Sequence, residues 1–124
     1  MTSFERGRAV LEGGWVLSGK TGDGSAIKLV LGETELSRAY LGATIGRHPA
    51  LCDRVIDEPG ISRRHLRVGI AEGGLFAEDL NSLNGTLVDG EELAPFRPER
   101  VTPGQVLTLG RVVLNVSRLG DEAD

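Results

Sequence analysis

The chain has 124 residues, of which 40% are hydrophobic and 26% charged, and its net charge is −4. A chain of this length can form one domain whose hydrophobic core needs no structural metal ion or disulfide bond for stability. The acidic balance disfavours general nucleic-acid binding, because polyanions bind to a basic face. No apolar run approaches the ~20 residues of a membrane span, and the N-terminus lacks a signal peptide's apolar core. We therefore expect a cytoplasmic protein that binds neither nucleic acid nor membrane.

The single cysteine, Cys52, cannot form an internal disulfide and has no evident catalytic partner, which favours a small buried side chain. The 18 glycines are spread between short apolar runs, as is typical of an all-β protein with many turns. Residues 1–12 are predicted to form an N-terminal arm, or an edge strand around residues 9–11. Residues 13–119 are predicted to form the folded domain, and residues 120–124 an acidic flexible tail.

Two β-prone runs, at residues 15–17 and 26–31, flank a glycine-rich segment and predict the first hairpin. Residues 14–21 also match the phosphate-loop expression G-x-x-x-x-G-K-[ST]. A phosphate loop needs a strand before the first glycine and a helix that begins at the lysine. Here the intervening residues are themselves strand-like, and Gly-Asp-Gly-Ser follows the threonine. We therefore interpret the match as fortuitous.

The remaining chain predicts ten or eleven short, mainly antiparallel strands and no helix, which together form a two-sheet β-sandwich. The ambiguous segment 33–40 is assigned to a strand because no apolar period of 3.6 is sustained. Asp89-Gly90 predicts a type I′ hairpin turn, and three prolines between residues 95 and 103 indicate a loop. The other predicted strands lie at residues 43–45, 55–56, 65–70, 75–80, 86–88, 91–93, 105–109 and 112–116. The last two are predicted to form a final hairpin around Gly110-Arg111.

In the middle of the chain, strand-like residues repeatedly run into loops that begin with polar side chains. The loops offer arginine guanidinium, serine hydroxyl and asparagine amide groups, a set that suits a tetrahedral dianion. The motifs are Gly46-Arg47, Ser62-Arg63-Arg64-His65, Ser82-Leu83-Asn84-Gly85-Thr86 and Asp89-Gly90.

The order and spacing of these motifs resemble the forkhead-associated (FHA) domain family, whose members read phosphorylated motifs. The resemblance implies a two-sheet sandwich with binding loops at one end. It also implies a non-enzymatic module that binds a phosphothreonine-containing segment of a partner protein in signalling or assembly. A Ser/Thr protein kinase is implied as the enzyme that phosphorylates the partner.

The resemblance also assigns roles to individual residues. Arg47, Ser62 and Arg63 are expected to bind the phosphate, and Asn84 the peptide main chain. Arginine suits the first role because its planar fork can engage two phosphate oxygens together.

Other residues are expected to support the site. By resemblance, His65 braces the binding loops instead of acting as a base for Ser62. Gly46 permits a close backbone approach, and Gly85 is predicted to adopt a positive φ. Ser82 either braces its loop or reaches the ligand. Leu83 departs from the family pattern, which often has a polar residue there, and offers an apolar contact instead of a hydrogen bond.

Two alternatives stay open from the sequence. A phospho-independent interaction or oligomerisation domain of the same fold is compatible with Leu83. An enzyme would need a general base or a metal cluster, and two histidines with scattered carboxylates provide neither. No cofactor or metal is expected.

Overall fold

Eleven strands form two sheets, and one helical turn follows the second strand, in the computed structural model, which describes residues 13–38 and 42–122. The elements are β1 (Gly14–Lys20), β2 (Ala26–Gly32), α1 (Glu33–Leu36), β3 (Ala43–Gly46), β4 (Arg54–Val55), β5 (Leu66–Ala71), β6 (Gly74–Asp79), β7 (Thr86–Val88), β8 (Glu91–Glu92), β9 (Glu99–Val101), β10 (Val106–Leu109) and β11 (Val112–Arg118).

The six-stranded sheet has the order β2-β1-β11-β10-β7-β8, and the five-stranded sheet has the order β4-β3-β5-β6-β9. Of the strand pairs with a described register, only β3 and β4 run parallel. The prediction of a two-sheet, mainly antiparallel β-sandwich is therefore confirmed. No helix among the described residues is long and apolar enough to cross a membrane.

Alternating apolar residues place one face of each sheet in a shared core. In β5, Leu66 and Val68 are fully buried, whereas Arg67 between them is partly exposed. In β1, Trp15 and Leu17 belong to the same core cluster. Each such side chain contributes about 1.5–3 kcal/mol when it is fully removed from water. The core fixes the register of the strands, and the strands in turn fix where their loops emerge.

The first hairpin is confirmed, since β1 pairs with β2 from Gly14↔Gly32 to Lys20↔Ala26. On its other side β1 pairs with β11. All residues of the phosphate-loop expression except Thr21 therefore form an interior strand that pairs on both edges. No helix begins at Lys20, so the fortuitous match is confirmed as such.

The prediction of a strand at residues 33–40, in a chain without helix, was wrong. Glu33–Leu36 is a single helical turn, which follows Gly32 in an extended conformation. Leu36 alone in this turn is buried, so four residues could not display a helical period in the sequence. Residues 39 and 40 of the predicted strand lie outside the described part of the chain.

The loop predicted between residues 95 and 103 contains a strand that the sequence analysis missed. The three residues of β9 lie between Pro98 and Pro103 and pair with β6 through Leu75↔Val101. Val101 is buried, which anchors this short edge strand in the core. The predicted strand 55–56 is also shifted by one residue, because the parallel pairing with β3 selects Arg54–Val55.

The two hairpin turns predicted late in the chain are confirmed. Asp89 and Gly90 have φ values of 50° and 86°, as a type I′ turn requires, and they join β7 to β8. Gly110 and Arg111 join β10 to β11. The division into arm, sandwich and tail stays a prediction, and residues 1–12 lie outside the described residues.

Candidate functional site

Three loops at one end of the sandwich line an open cavity of about 590 Å³, called the site cavity below. They are the loops from β3 to β4, from β4 to β5 and from β6 to β7. The structure therefore brings together the four residues that the resemblance assigned to the ligand. The lining residues are Arg47, Leu51, Pro59, Gly60, Ile61, Ser62, Arg63, Arg64, Asn81, Leu83 and Asn84.

Backbone contacts hold the first two loops together. The N–H of Arg47 donates to the carbonyl of Ser62 at 3.0 Å, and the Cys52 thiol donates to the carbonyl of Arg63 at 2.9 Å. A Cβ at Gly46 would lie 2.3 Å from that Arg63 carbonyl oxygen, so only glycine permits this approach. Cys52 is half-buried, and burial raises the pKa of its thiol.

Arg47 is exposed at the end of β3, and one part of its guanidinium is already engaged. Its Nε–H donates to the Ile61 carbonyl at 2.9 Å. This bond orients the planar group and leaves its terminal amino groups without an acceptor among the described residues, so they can engage an anion as a pair.

Ser62 is fixed as an acceptor towards the protein. Its Oγ accepts the backbone N–H of Leu83 at 2.9 Å, which links the second loop to the third. A hydroxyl has one hydrogen and two lone pairs, so accepting this bond leaves its hydrogen free to donate. No acceptor for that hydrogen occurs among the described residues, and Ser62 lines the site cavity.

His65 is completely buried beneath the loops and lines no part of the site cavity. Its Nδ1 accepts the N–H of Ser62 at 3.1 Å, and its Nε2 donates to the carbonyl of Gly85 at 2.9 Å. Burial lowers the pKa of this imidazole, which favours the neutral form that both bonds require. With both nitrogens engaged by backbone, His65 makes the contacts of a brace between loops and not those of a general base.

The third loop is held by Asp79, a residue that the polar motifs of the sequence did not include. Asp79 is buried at the end of β6, and its carboxylate accepts hydrogen bonds from the Ser82 N–H and from the hydroxyls of Ser82 and Thr86. The signal in the sequence was an aspartate three residues before a serine, a spacing typical of side-chain capped turns. Ser82 is thus bonded within its own loop.

Three residues of the third loop that line the site cavity are exposed, namely Asn81, Leu83 and Asn84. The Asn84 amide donates to the carbonyl of Gly60 at 2.9 Å, so it spans the space between two loops. Gly85 has a φ of 80°, the positive value expected from the sequence. Leu83 is 90% exposed; its backbone N–H donates to Ser62 Oγ, and its apolar side chain has no hydrogen-bonding group.

Ion pairing distinguishes the exposed arginines of the site from two partly buried arginines elsewhere in the fold. Arg54 pairs with Glu35, and Arg67 pairs with Glu78. Arg47, Arg63 and Arg64 have no carboxylate partner among the described residues. The site cavity therefore carries three uncompensated cations on a protein of net charge −4. Within residues 13–38 and 42–122, no cluster of three or more His, Cys, Asp or Glu side chains could hold a metal ion.

A sequence model of the FHA domain matches residues 43–110, which is more than half of the chain. The chain belongs to the FHA domain family. The match begins at β3 and ends at the β10–β11 turn, so it contains all three loops of the site cavity.

Solved FHA domains share the architecture. The FHA domain of the CT664 protein from Chlamydia trachomatis superposes with a TM-score of 0.67 at 24% identity, covering 89% of this chain and 99% of that one. An FHA domain from a study of phosphothreonine-dependent FHA domain interactions gives a TM-score of 0.64 at 27% identity, covering 84% and 95% of the two chains.

Among curated proteins, the oxoglutarate dehydrogenase inhibitor of Corynebacterium efficiens is 37% identical over 68 residues. That alignment covers 55% of this chain and 45% of the inhibitor. The matched region therefore spans less than half the length of this relative.

Proposed function

We propose that this FHA domain binds a phosphothreonine-containing segment of a partner protein. Arg47, Ser62 and Arg63 hold the phosphate, and Asn84 holds the peptide main chain beside it. The domain acts by binding, without catalysis, and a Ser/Thr kinase phosphorylates the partner.

The observation that carries the proposal is the state of the donors in the site cavity. The Ser62 hydroxyl oxygen accepts the Leu83 N–H and keeps its hydrogen available to donate, while Arg47 and Arg63 have no carboxylate partner among the described residues. A phosphate monoester carries about −1.5 to −2 charges at pH 7 and presents only acceptors. Unpaired cations beside a free hydroxyl donor complement that group in both charge and hydrogen bonding.

Asn84 suits the main-chain role because a carboxamide can donate to a peptide carbonyl and accept from a peptide N–H. The hydrogen bond from its side-chain amide to the Gly60 carbonyl fixes the side chain at the edge of the site cavity. The FHA neighbour with phosphothreonine-dependent interactions supports the same class of ligand. Selection of phosphothreonine over phosphoserine is part of the proposal.

The test is a titration with matched phosphorylated and unphosphorylated peptides from a random pool centred on threonine. We expect binding only to the phosphorylated pool. Arg47→Ala should weaken that binding about 30-fold or more, since charged hydrogen bonds are each worth about 1.5–3 kcal/mol. Arg97→Ala is the matched control, because Arg97 is exposed and lies outside the site cavity.

The second candidate is phospho-independent protein binding on the same fold, which the exposed Leu83 favours. Equal affinities for the two peptide pools would support this alternative and overturn the leading proposal. Release of inorganic phosphate from the phosphopeptide would contradict a purely binding role. The thermal midpoint of Arg47→Ala should stay near that of the wild type, so that lost binding cannot be ascribed to unfolding.

A further inference from the structure

We infer that Leu83 makes this site selective for an aliphatic side chain next to, or next but one to, the phosphothreonine. The inference rests on the proposed function and names the ligand more closely. Leu83 is then a specificity-determining residue, and the polar groups of the site cavity are its arginines, Ser62 and its asparagines.

The exposure of Leu83 has no explanation in the fold. At 90% it is the most exposed large hydrophobic side chain of the described residues, and the next, Phe96, is 62% exposed. A leucine so exposed adds almost nothing to the core, and isolated exposed leucines are common on protein surfaces. Its significance comes from where it is held and what lies beside it.

The backbone that presents Leu83 is fixed on both sides. Its own N–H is bonded to Ser62 Oγ, the preceding Ser82 is bonded to Asp79, and the Gly85 carbonyl accepts from His65. Since Asp79 and His65 are buried, the loop cannot withdraw Leu83 from solvent without breaking buried hydrogen bonds. The side chain is thus pre-organised for contact, which lowers the entropic cost of binding.

Leu83 is also part of an apolar rim. Leu51, which is 47% exposed, and the exposed Pro59 come from the other two loops and line the same site cavity. These apolar residues adjoin the unpaired arginines. A ligand that complements this lining carries a strong anion and an aliphatic group close together. A charged or small side chain next to the phosphothreonine would leave the apolar rim exposed to water.

Geometry limits where the aliphatic group lies in the peptide. The Leu83 nitrogen is 2.9 Å from Ser62 Oγ. A phosphate oxygen that accepts the hydrogen bond of that hydroxyl lies about 2.7 Å from Oγ. An extended peptide advances about 3.3 Å per residue. The side chains that can reach Leu83 therefore belong to positions −2 to +2 relative to the phosphothreonine.

The test is a phosphothreonine peptide library, degenerate from −3 to +3, bound to the wild type and to Leu83→Ser. For the wild type we expect enrichment of Leu, Ile, Val or Met at one position from −2 to +2. For Leu83→Ser the phosphate dependence should persist and this enrichment should disappear. Leu83→Met should retain it, since methionine keeps an apolar side chain of similar size.

A single selected peptide then quantifies the contact. Replacing its aliphatic residue by alanine should weaken binding to the wild type about fivefold, but less than about twofold in Leu83→Ser. The control Leu119→Ser alters an exposed leucine that follows β11, outside the site cavity, and should behave as the wild type. The thermal midpoint of each variant shows that it is folded.

The outcomes separate this inference from the proposed function. Failure of all phosphopeptides to bind would overturn the proposed function and the inference with it. Phosphate-dependent binding with no aliphatic enrichment at −2 to +2 would overturn the inference alone. The inference alone would also be overturned if Leu83→Ser kept the wild-type enrichment.

Discussion

At the scale of single residues, the environment of His65 determines what its imidazole can do. The ring is fully buried, with its nitrogens bonded to the Ser62 N–H and the Gly85 carbonyl. Burial lowers its pKa from the ordinary value of 6.5, and the Gly85 carbonyl and the Asp79 charge oppose that shift in part. A histidine of this kind stabilises the loops in its neutral form.

His65 should make the stability of the domain depend on pH. Because the folded-state pKa lies below 6.5, the unfolded chain takes up a proton first as the pH falls. Stability is therefore complete above the unfolded pKa and declines below it, by about 1.4 kcal/mol at most near pH 5.5. Chemical denaturation between about pH 7.5 and 5.5 measures this decline.

Two histidine variants test whether His65 causes the decline of stability at low pH. His65→Gln should have a lower free energy of unfolding at neutral pH and a flatter dependence on pH. His48→Gln, at an exposed position, should keep the wild-type dependence. An equally steep decline in His65→Gln would show that other groups cause it.

At the scale of secondary-structure elements, the end of β6 organises the β6–β7 loop. Asp79 accepts three hydrogen bonds through its carboxylate, and its carbonyl also accepts the N–H of Phe96. Thr86, which donates one of these bonds, begins β7 and is completely buried. The loop that carries Leu83 and Asn84 is thus held at both ends by one side chain.

Removing this carboxylate should damage both stability and binding. Asp79→Ala leaves the buried Thr86 hydroxyl without its acceptor, and we expect a loss of about 3 kcal/mol in the free energy of unfolding. The milder Ser82→Ala should stay folded and bind phosphopeptide several-fold more weakly. Asp121→Ala, an exposed aspartate after β11, is the control. Wild-type stability in Asp79→Ala would contradict this account of the loop.

At the scale of the whole molecule, a local cationic cavity lies on an acidic body. The net charge is −4, yet Arg47, Arg63 and Arg64 face one cavity without carboxylate partners among the described residues. The overall charge repels extended polyanions, whereas the local field attracts one compact anion. This contrast matches a phosphorylated side chain better than a nucleic acid.

Binding of a phosphopeptide should therefore depend on salt. Raising NaCl from about 0.05 to 0.5 M shortens the Debye length to roughly 4 Å, and we expect affinity to fall about five- to tenfold. Arg63→Ala should show a shallower dependence, and Arg97→Ala an unchanged one. Isothermal titration at several salt concentrations provides the measurement. Affinity independent of salt would contradict an electrostatic role for these arginines.

The sequence alone determined the features that depend on local chemistry. Alternation of apolar residues in β5 and the Asp89-Gly90 turn predicted strands and a hairpin, because each pattern is complete within a few residues. The phosphate-loop match was rejected on its neighbours alone. The order of the polar motifs was also sufficient to indicate the FHA family.

Only the tertiary structure decided the features whose partners lie far apart in the chain. β9 exists because β6 supplies its hydrogen bonds, and α1 because Leu36 enters the core. The bond between Ser62 and Leu83 joins residues 21 positions apart, so no local pattern reveals it. Long-range packing brings these groups together, and the convergence of three loops on one cavity follows from it.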